Sequence, residues 1–120
     1  MYFPEYRLRR FRRTENLRRM IRETVLTVDN LIYPLFVMPG KDIKNPVRSM
    51  PGVFQFSVDR LLEELKSVVQ LKIPGIILFG LPQEKDERGS EAHSQTGVVQ
   101  EAVRAVKDKY PELVVITDVC

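Results

Sequence analysis

The sequence predicts an α/β fold, because three apolar segments alternate with two segments in which apolar residues recur at helical spacing. The apolar segments cover residues 31–37, 75–80 and 113–118, and each has the length of a strand buried on both faces. The helical patterns follow Ser57 and Gly97. Strands that alternate with helices pair in parallel through right-handed crossovers, so we expect a β-α-β-α-β arrangement.

The spacing of the strands extends this prediction to a (β/α)₈ barrel. The strands begin about 40 residues apart, and eight such units would occupy roughly 320 residues, within the range of a barrel with insertions. A three-stranded parallel sheet standing alone would leave two unpaired edges and one poorly covered face. We therefore interpret residues 31–120 as the first three units of a barrel. A flavodoxin-like or Rossmann half-sheet is the alternative, although the turns lack phosphate-binding glycine spacing.

Residues 1–30 predict an extended basic arm that contains a short helix. Residues 1–22 hold eight arginines, two glutamates and no lysine, which gives 8 − 2 = +6 against +3 for the whole chain. Thr14 is suited to cap a helix. Guanidinium groups interleaved with aromatic residues favour a neighbouring subunit as partner, with a solvated arm, nucleic acid and an acidic membrane as alternatives. No RNA-binding or helix-turn-helix signature is present, so we expect no nucleic-acid partner.

The first strand, at 31–37, contains Pro34, which cannot donate to a strand ladder and is an exception to the pattern. Residues 38–56 hold three prolines and two glycines and predict a long loop. Ser57 is expected to cap the next helix, with Asp59 in its first turn.

That helix should bury a stripe of five apolar side chains on the sheet, namely Leu61, Leu62, Leu65, Val68 and Val69. The Pro74-Gly75 dipeptide is expected to end this helix, and the second strand begins at Gly75. Residues 81–97 predict a second long loop, and the following helix should end before Pro111.

Composition excludes several classes of protein. Apolar residues make up 43% of the chain and charged residues 29%, which is ordinary for a globular domain. No apolar run approaches the roughly 18 residues that span a bilayer, so we expect no membrane association. The single cysteine excludes an internal disulfide framework and suits a reducing cytoplasm, where we expect the protein.

Candidate functional residues lie where the predicted strands end, since parallel sheets carry their sites there. Asp118 follows the third strand and could orient a substrate or cap a turn. Cys120 could be a metal ligand, a nucleophile or a small buried side chain, and one cysteine does not make a zinc site. His93 and the charged run at 84–88 are interpreted as surface groups.

Six short segments run in order along the chain: RRFRR at 9–13, LIYPLFV at 31–37, SMPGV at 49–53, LFG at 78–80, KDERGSEA at 85–92 and VITDVC at 115–120. Together they resemble the N-terminal part of the 5-aminolevulinate dehydratase (porphobilinogen synthase) family. Pro34 belongs to the first-strand pattern of that family. The resemblance implies a (β/α)₈ barrel whose N-terminal arm wraps a neighbouring subunit, commonly in a homo-octamer.

The resemblance also implies an activity, the condensation of two 5-aminolevulinate molecules to porphobilinogen with loss of water, in tetrapyrrole and haem biosynthesis. Asp118 matches the active-site aspartate beside the substrate amino group. Cys120 matches the first of three cysteines that bind zinc in many members, whereas others rely on magnesium. Two lysines that form Schiff bases would lie beyond residue 120, so we expect the chain alone to be inactive. A non-catalytic assembly or folding module is the alternative.

Overall fold

A five-stranded mixed sheet forms the centre of the protein in a computed structural model, which describes Glu5, residues 9–81 and residues 96–118. The strands are β1 (Ile32–Val37), β2 (Lys44–Pro46), β3 (Phe54–Phe56), β4 (Gly75–Gly80) and β5 (Val114–Thr117). Their order across the sheet is β2-β3-β1-β4-β5, and only the β2–β3 pair is antiparallel. The predicted α/β class is confirmed.

Three α-helices accompany the sheet: α1 (Glu15–Met20), α2 (Val58–Gln70) and α3 (Val98–Lys109). Helices α2 and α3 join β3 to β4 and β4 to β5, so the predicted strand–helix alternation is present. The predicted stop before Pro111 is also confirmed, because Tyr110 is the C-cap of α3. No helix among the described residues is long and apolar enough to cross a membrane.

The prediction of a loop throughout 38–56 was wrong, because this segment contains β2 and β3. Phe54 and Phe56 alternate with Gln55 as a strand requires, and Phe56 is 3% exposed. The prolines and glycines lie mainly in the turns. Gly52 has a φ of 84°, a conformation that suits glycine, and backbone bonds join Val47 to Val53 where the chain reverses.

Helices α2 and α3 bury their apolar stripes on one face of the sheet. The core that they share with the strands consists of Leu35, Val37, Phe56, Leu61, Leu65, Val68, Ile76, Leu78, Val98, Ala102, Val106 and Leu113. Four of the five stripe residues predicted for α2 are buried or pack against this core. Val69 is 41% exposed, because it follows Val68 by about 100° around the helix and points away from the sheet.

Pro34 lies in β1 opposite Ile77 of β4. The Met38 N–H, four residues later, donates to Phe56 O on the β3 side at 2.8 Å. Since N–H groups alternate between the two sides of a strand, the Pro34 nitrogen also faces the β3 side. Within β1, only Phe36 and Val37 pair with β3, so no hydrogen bond of the sheet is lost at Pro34 among the described residues.

The described part of the arm, Glu5 and residues 9–30, contains no buried side chain. Thr14 caps α1 as predicted, and its Oγ1 accepts from Leu17 N at 3.2 Å. Arg18 Nη1 donates to Arg12 O at 2.9 Å, which ties α1 to the preceding turn. No side chain of α1 is buried.

Gly80, the last residue of β4, allows α3 to pack closely on the sheet. A Cβ atom at this position would overlap the Cγ2 methyl of Val99 in the first turn of α3. Valine is β-branched and has one strongly preferred rotamer in a helix, so its methyl group cannot turn away freely.

We predict that Gly80→Ala lowers the free energy of unfolding by about 1–3 kcal/mol, the usual effect of overpacking a core. Urea unfolding of the full-length protein measures the change. Gly75→Ala, at the other end of the same strand, is the matched control, because its Cβ would lie 3.4 Å from Val114 Cβ in ordinary contact. Equal stability of the Gly80→Ala and Gly75→Ala proteins would contradict the packing role of Gly80.

Candidate functional site

The carboxyl ends of the parallel strands meet along one rim of the sheet. Backbone bonds join the residues that leave these strands: Leu81 N donates to Val37 O at 2.8 Å, and Asp118 N donates to Leu78 O at 3.3 Å. The carboxyl ends of β1, β4 and β5 therefore lie on the same side of the sheet. Parallel α/β sheets carry their functional residues on this side.

The face of the sheet opposite the helices is apolar. Leu35 and Leu78 are paired and lie under the helices, so the next residues, Phe36 and Phe79, point to the other face. The rings of Phe36 and Phe79 lie 5.6 Å apart, centroid to centroid, at an interplanar angle of 36°. Both are only half-buried, as is Ile116 of β5. We call this surface the open face.

Asp118 lies at the junction of the open face and the rim. Thr117 is paired with Leu78, so Asp118 is level with Phe79 across the sheet. By alternation along the strand, Asp118 belongs to the same face as Ile116 and Phe79. Its side chain is exposed. The arrangement sets a carboxylate at the edge of an aromatic surface, where it can bind a cationic group of a small molecule.

The other residues singled out from the sequence lie outside the described residues. These are Cys120, His93 and the charged run at 84–88. Within residues 9–81 and 96–118, no three His, Cys, Asp or Glu side chains are close enough to bind a metal ion together. The described part of the chain therefore does not supply the ligand set of a zinc site.

None of the described lysines resembles the nucleophile of a Schiff-base enzyme. All six are exposed, and none lies in a parallel strand: Lys41, Lys44, Lys66, Lys72, Lys107 and Lys109. A Schiff-base lysine is typically desolvated in an apolar pocket. Lys44 lies in the antiparallel strand β2, and its Nζ is 4.5 Å from the centroid of the Phe54 ring.

A network of polar side chains that the sequence did not predict joins the loop after β1 to the start of α2. Ser57 Oγ accepts from Ile43 N at 2.9 Å and donates to the Asp59 carboxylate. Asp59 Oδ2 accepts from Asp42 N at 2.9 Å. Arg60 Nε lies 2.7 Å from Asp42 Oδ1. We call Ser57 and Asp59, with these contacts, the clasp.

The predicted helix cap at Ser57 was therefore right in position and wrong in its contacts. Ser57 is the N-cap of α2, but its side chain makes no hydrogen bond to the helix backbone. The side chain is fully buried, so each of its bonds is made within the protein. The sequence carried a signal for a helix start, and it carried none for a partner 14 residues earlier.

The clasp lowers the pKa of Asp59. The hydrogen bond from the Ser57 hydroxyl is the largest cause, and the backbone N–H groups of Asp42, Asp59 and Arg60 add to it against partial desolvation. Hydrogen bonds to the charged form of a carboxyl favour that form. Because the folded-state pKa lies below the ordinary value, this stabilisation is present above the ordinary pKa and is lost as the pH falls through the folded-state pKa.

These features define a class of protein: an α/β protein with parallel strands, an apolar open face and a carboxylate at the rim where such folds bind small molecules. The family model described as delta-aminolevulinic acid dehydratase matches residues 5–120, and the chain belongs to that family.

Individual relatives agree with the family. The delta-aminolevulinic acid dehydratase of Synechocystis sp. is 54% identical over 118 residues, and that of Archaeoglobus fulgidus is 43% identical over 118 residues. Each alignment covers 98% of this chain and 36% of the relative, so the chain spans about a third of their length.

A solved structure is also similar to this chain. It is the delta-aminolevulinic acid dehydratase (porphobilinogen synthase) of Toxoplasma gondii in complex with the reaction product porphobilinogen, with a TM-score of 0.83 and 28% identity. The match covers 98% of this chain and 34% of that one. The fold described above is thus the fold of part of a dehydratase.

We predict that Ser57→Ala raises the pKa of Asp59 towards its ordinary value of 3.8, because the substitution removes the largest cause of the shift. The carboxyl carbon of Asp59, followed by NMR as the pH is lowered, reports this titration. Ser67→Ala on the exposed part of α2 is the matched control and should leave the midpoint unchanged. An unchanged midpoint in Ser57→Ala would rule out the serine as the cause.

Proposed function

We propose that this chain belongs to a porphobilinogen synthase, a lyase that condenses two molecules of 5-aminolevulinate to porphobilinogen with loss of water in tetrapyrrole and haem biosynthesis. Family membership over residues 5–120 supports the proposal, as does the product bound in the Toxoplasma gondii relative. None of the described lysines is desolvated or set in a parallel strand, so we propose that the two Schiff-base lysines come from outside the described residues.

We assign residues 31–120 to the first part of a (β/α)₈ barrel and residues 1–30 to the N-terminal arm. The open face supports this assignment, because a barrel closes its sheet around an interior filled by such side chains. The outer edge of β5 has no partner strand within the described part of the chain, as the first strands of a larger barrel require.

Asp118 is our proposed catalytic residue, and its position at the rim beside the open face is the observation that carries the site assignment. Its carboxylate binds the amino group of a 5-aminolevulinate molecule as an ammonium ion and orients the substrate over the aromatic surface. A charge-assisted hydrogen bond of this kind fixes direction as well as adding binding energy.

Cys120 is our proposed ligand for zinc, with the remaining ligands contributed from outside the described residues. A bound zinc ion would act as a Lewis acid or hold the substrate amine. Magnesium is the alternative in this family. The thiol of Cys120 and the carboxylate of Asp118 are two residues apart and share a side of the chain if the strand direction continues.

The arm is our proposed contact with a neighbouring subunit in a homo-octamer. Exposed apolar side chains at the end of α1 and after it support this proposal, including Met20 at 82%, Leu26 at 76% and Val25 at 62%. Exposed arginines beside them add groups that pair with carboxylates. We propose a cytoplasmic location, with neither nucleic acid nor a membrane as partner.

A chimaera tests the activity directly. We predict that the Synechocystis dehydratase remains active when its matching N-terminal segment is replaced by this chain, and that Asp118→Asn in the chimaera lowers kcat/KM for 5-aminolevulinate by about 10- to 100-fold. Formation of porphobilinogen is the measurement. Asp108→Asn, on the exposed surface of α3, is the matched control and should leave the rate unchanged. An Asp118→Asn chimaera with an unchanged kcat/KM would overturn the role of Asp118.

A second prediction concerns the 120-residue chain alone. We expect no porphobilinogen from it, because it lacks the nucleophiles of the reaction. We also expect it to associate, since its strand edges and open face favour pairing with another copy or with the rest of a barrel. Turnover by the pure chain would contradict the first expectation. A monodisperse monomer in sedimentation would contradict the expected association. The same result would also contradict the alternative that the chain serves as an assembly module.

A further inference from the structure

The loop at 38–43 connects the carboxyl end of β1 to β2 and forms the part of the rim that faces away from β4. Two of its residues have positive φ: Gly40 at 123° and Asp42 at 54°. Aspartate is one of the few non-glycine residues that adopt the left-handed region, at some cost relative to glycine. Contacts that hold Asp42 in this conformation therefore help to define the loop.

Hydrogen bonds from Ser57 and Asp59, at the start of α2, hold this loop. The Ile43 backbone is bound at both groups, since its N–H donates to Ser57 Oγ at 2.9 Å and its oxygen accepts from Ser57 N at 3.0 Å. The Asp42 N–H donates to Asp59 Oδ2 at 2.9 Å. The successive backbone N–H groups of Asp42 and Ile43 therefore both donate to side chains at the start of α2, those of Asp59 and Ser57.

The contacts of Ser57 distinguish this arrangement from ordinary capping. An N-cap serine normally accepts from the helix backbone two or three residues on. Here the hydroxyl bonds to the loop and to Asp59 instead, and full burial leaves it no solvent partner. The cap is thus used to attach a neighbouring loop.

The charged groups around the clasp reinforce the same attachment. Asp42 faces the Arg60 guanidinium, and Glu63 binds the other side of Arg60 at 2.8 Å. The Arg60 guanidinium thereby pairs with the carboxylates of both Asp42 and Glu63 at the start of α2. Phe56, directly before Ser57, accepts from Met38 N at 2.8 Å, so both ends of the loop are fixed to the same stretch of chain.

We propose that Ser57 and Asp59 are positioning residues that hold the 38–43 loop against α2 and thereby fix the β1 end of the rim for substrate binding. This inference rests on the proposed function for its link to substrate. The clasp itself touches neither Asp118 nor any reacting atom. It acts through the backbone of Asp42 and Ile43.

Hydrogen exchange in the full-length protein tests the attachment. In Ser57→Ala and in Asp59→Ala, we expect the Asp42 and Ile43 amides to exchange at least about tenfold faster. Each substitution removes a side-chain acceptor that protects these amides from exchange with water. The Leu78 amide in β4 should keep its rate, which shows that the sheet is intact. Ser67→Ala and Asp108→Ala are matched controls at exposed helix positions. Unchanged exchange rates of both loop amides in both variants would contradict the proposal that Ser57 and Asp59 hold the 38–43 loop.

Kinetics of the active chimaera test the positioning role. We expect Ser57→Ala and Asp59→Ala to raise KM for 5-aminolevulinate about fivefold. If the loop holds its binding-competent conformation only about one-fifth of the time, the apparent affinity for substrate falls by the same factor. The kcat should change by less than about twofold, because saturating substrate restores the rim. Faster loop exchange with an unchanged KM overturns the positioning role. An inactive unsubstituted chimaera overturns the proposed function instead, and the exchange comparison still decides the clasp.

Discussion

Parallel strands bury both of their faces, because their ladders come with helical crossovers and their side chains are apolar on each side. In this chain, helices α2 and α3 supply that cover on one face only. The other face carries Phe36 and Phe79 half-buried at the middle of the sheet. The molecular architecture follows from this one-sided burial: a dense core beneath two helices, and an apolar surface that a closed barrel would turn inward.

The same asymmetry separates stability from chemistry. Residues that face the helices, such as Leu61 and Ile76, are fully buried and hold the layers together. Residues at the rim meet water, so a carboxylate such as Asp118 can remain there without the cost of burying a charge. A polar group on a rigid strand end is held by the sheet while it stays accessible to a ligand. This division is what allows one fold to support a site without weakening its core.

Regular elements were predictable because their signals are local. The β4 segment and the stripe of α2 repeat at the spacings of a strand and a helix, and both formed as expected. β2 and β3 were missed because three-residue strands offer too short a pattern, and Pro46 in β2 resembles a loop residue. The contacts of Ser57 were missed for a different reason: Ile43 is far away along the sequence, and only the completed sheet brings it near.

The candidate site divides in the same way. The position of Asp118 at the rim was predictable because it follows a strand, and the end of a parallel strand is a defined place in the fold. The contact between Asp42 and Arg60 could not be predicted from the sequence, since charged residues in a loop and on a helix are ordinarily solvated. Their relation emerges only when the loop after β1 returns to the start of α2. Short-range patterns thus located the rim, and long-range packing determined how its loops are attached.

Pro34 also affects how β1 can pair with other segments. On the β3 side of β1, strand β3 pairs only with Phe36 and Val37, so residues 32–35 have no partner strand there among the described residues. Proline has no N–H group, so an extended peptide added along residues 32–35 would leave one of its carbonyl groups without a donor. Pro34 therefore makes this stretch of β1 a poor template for the non-specific addition of a strand.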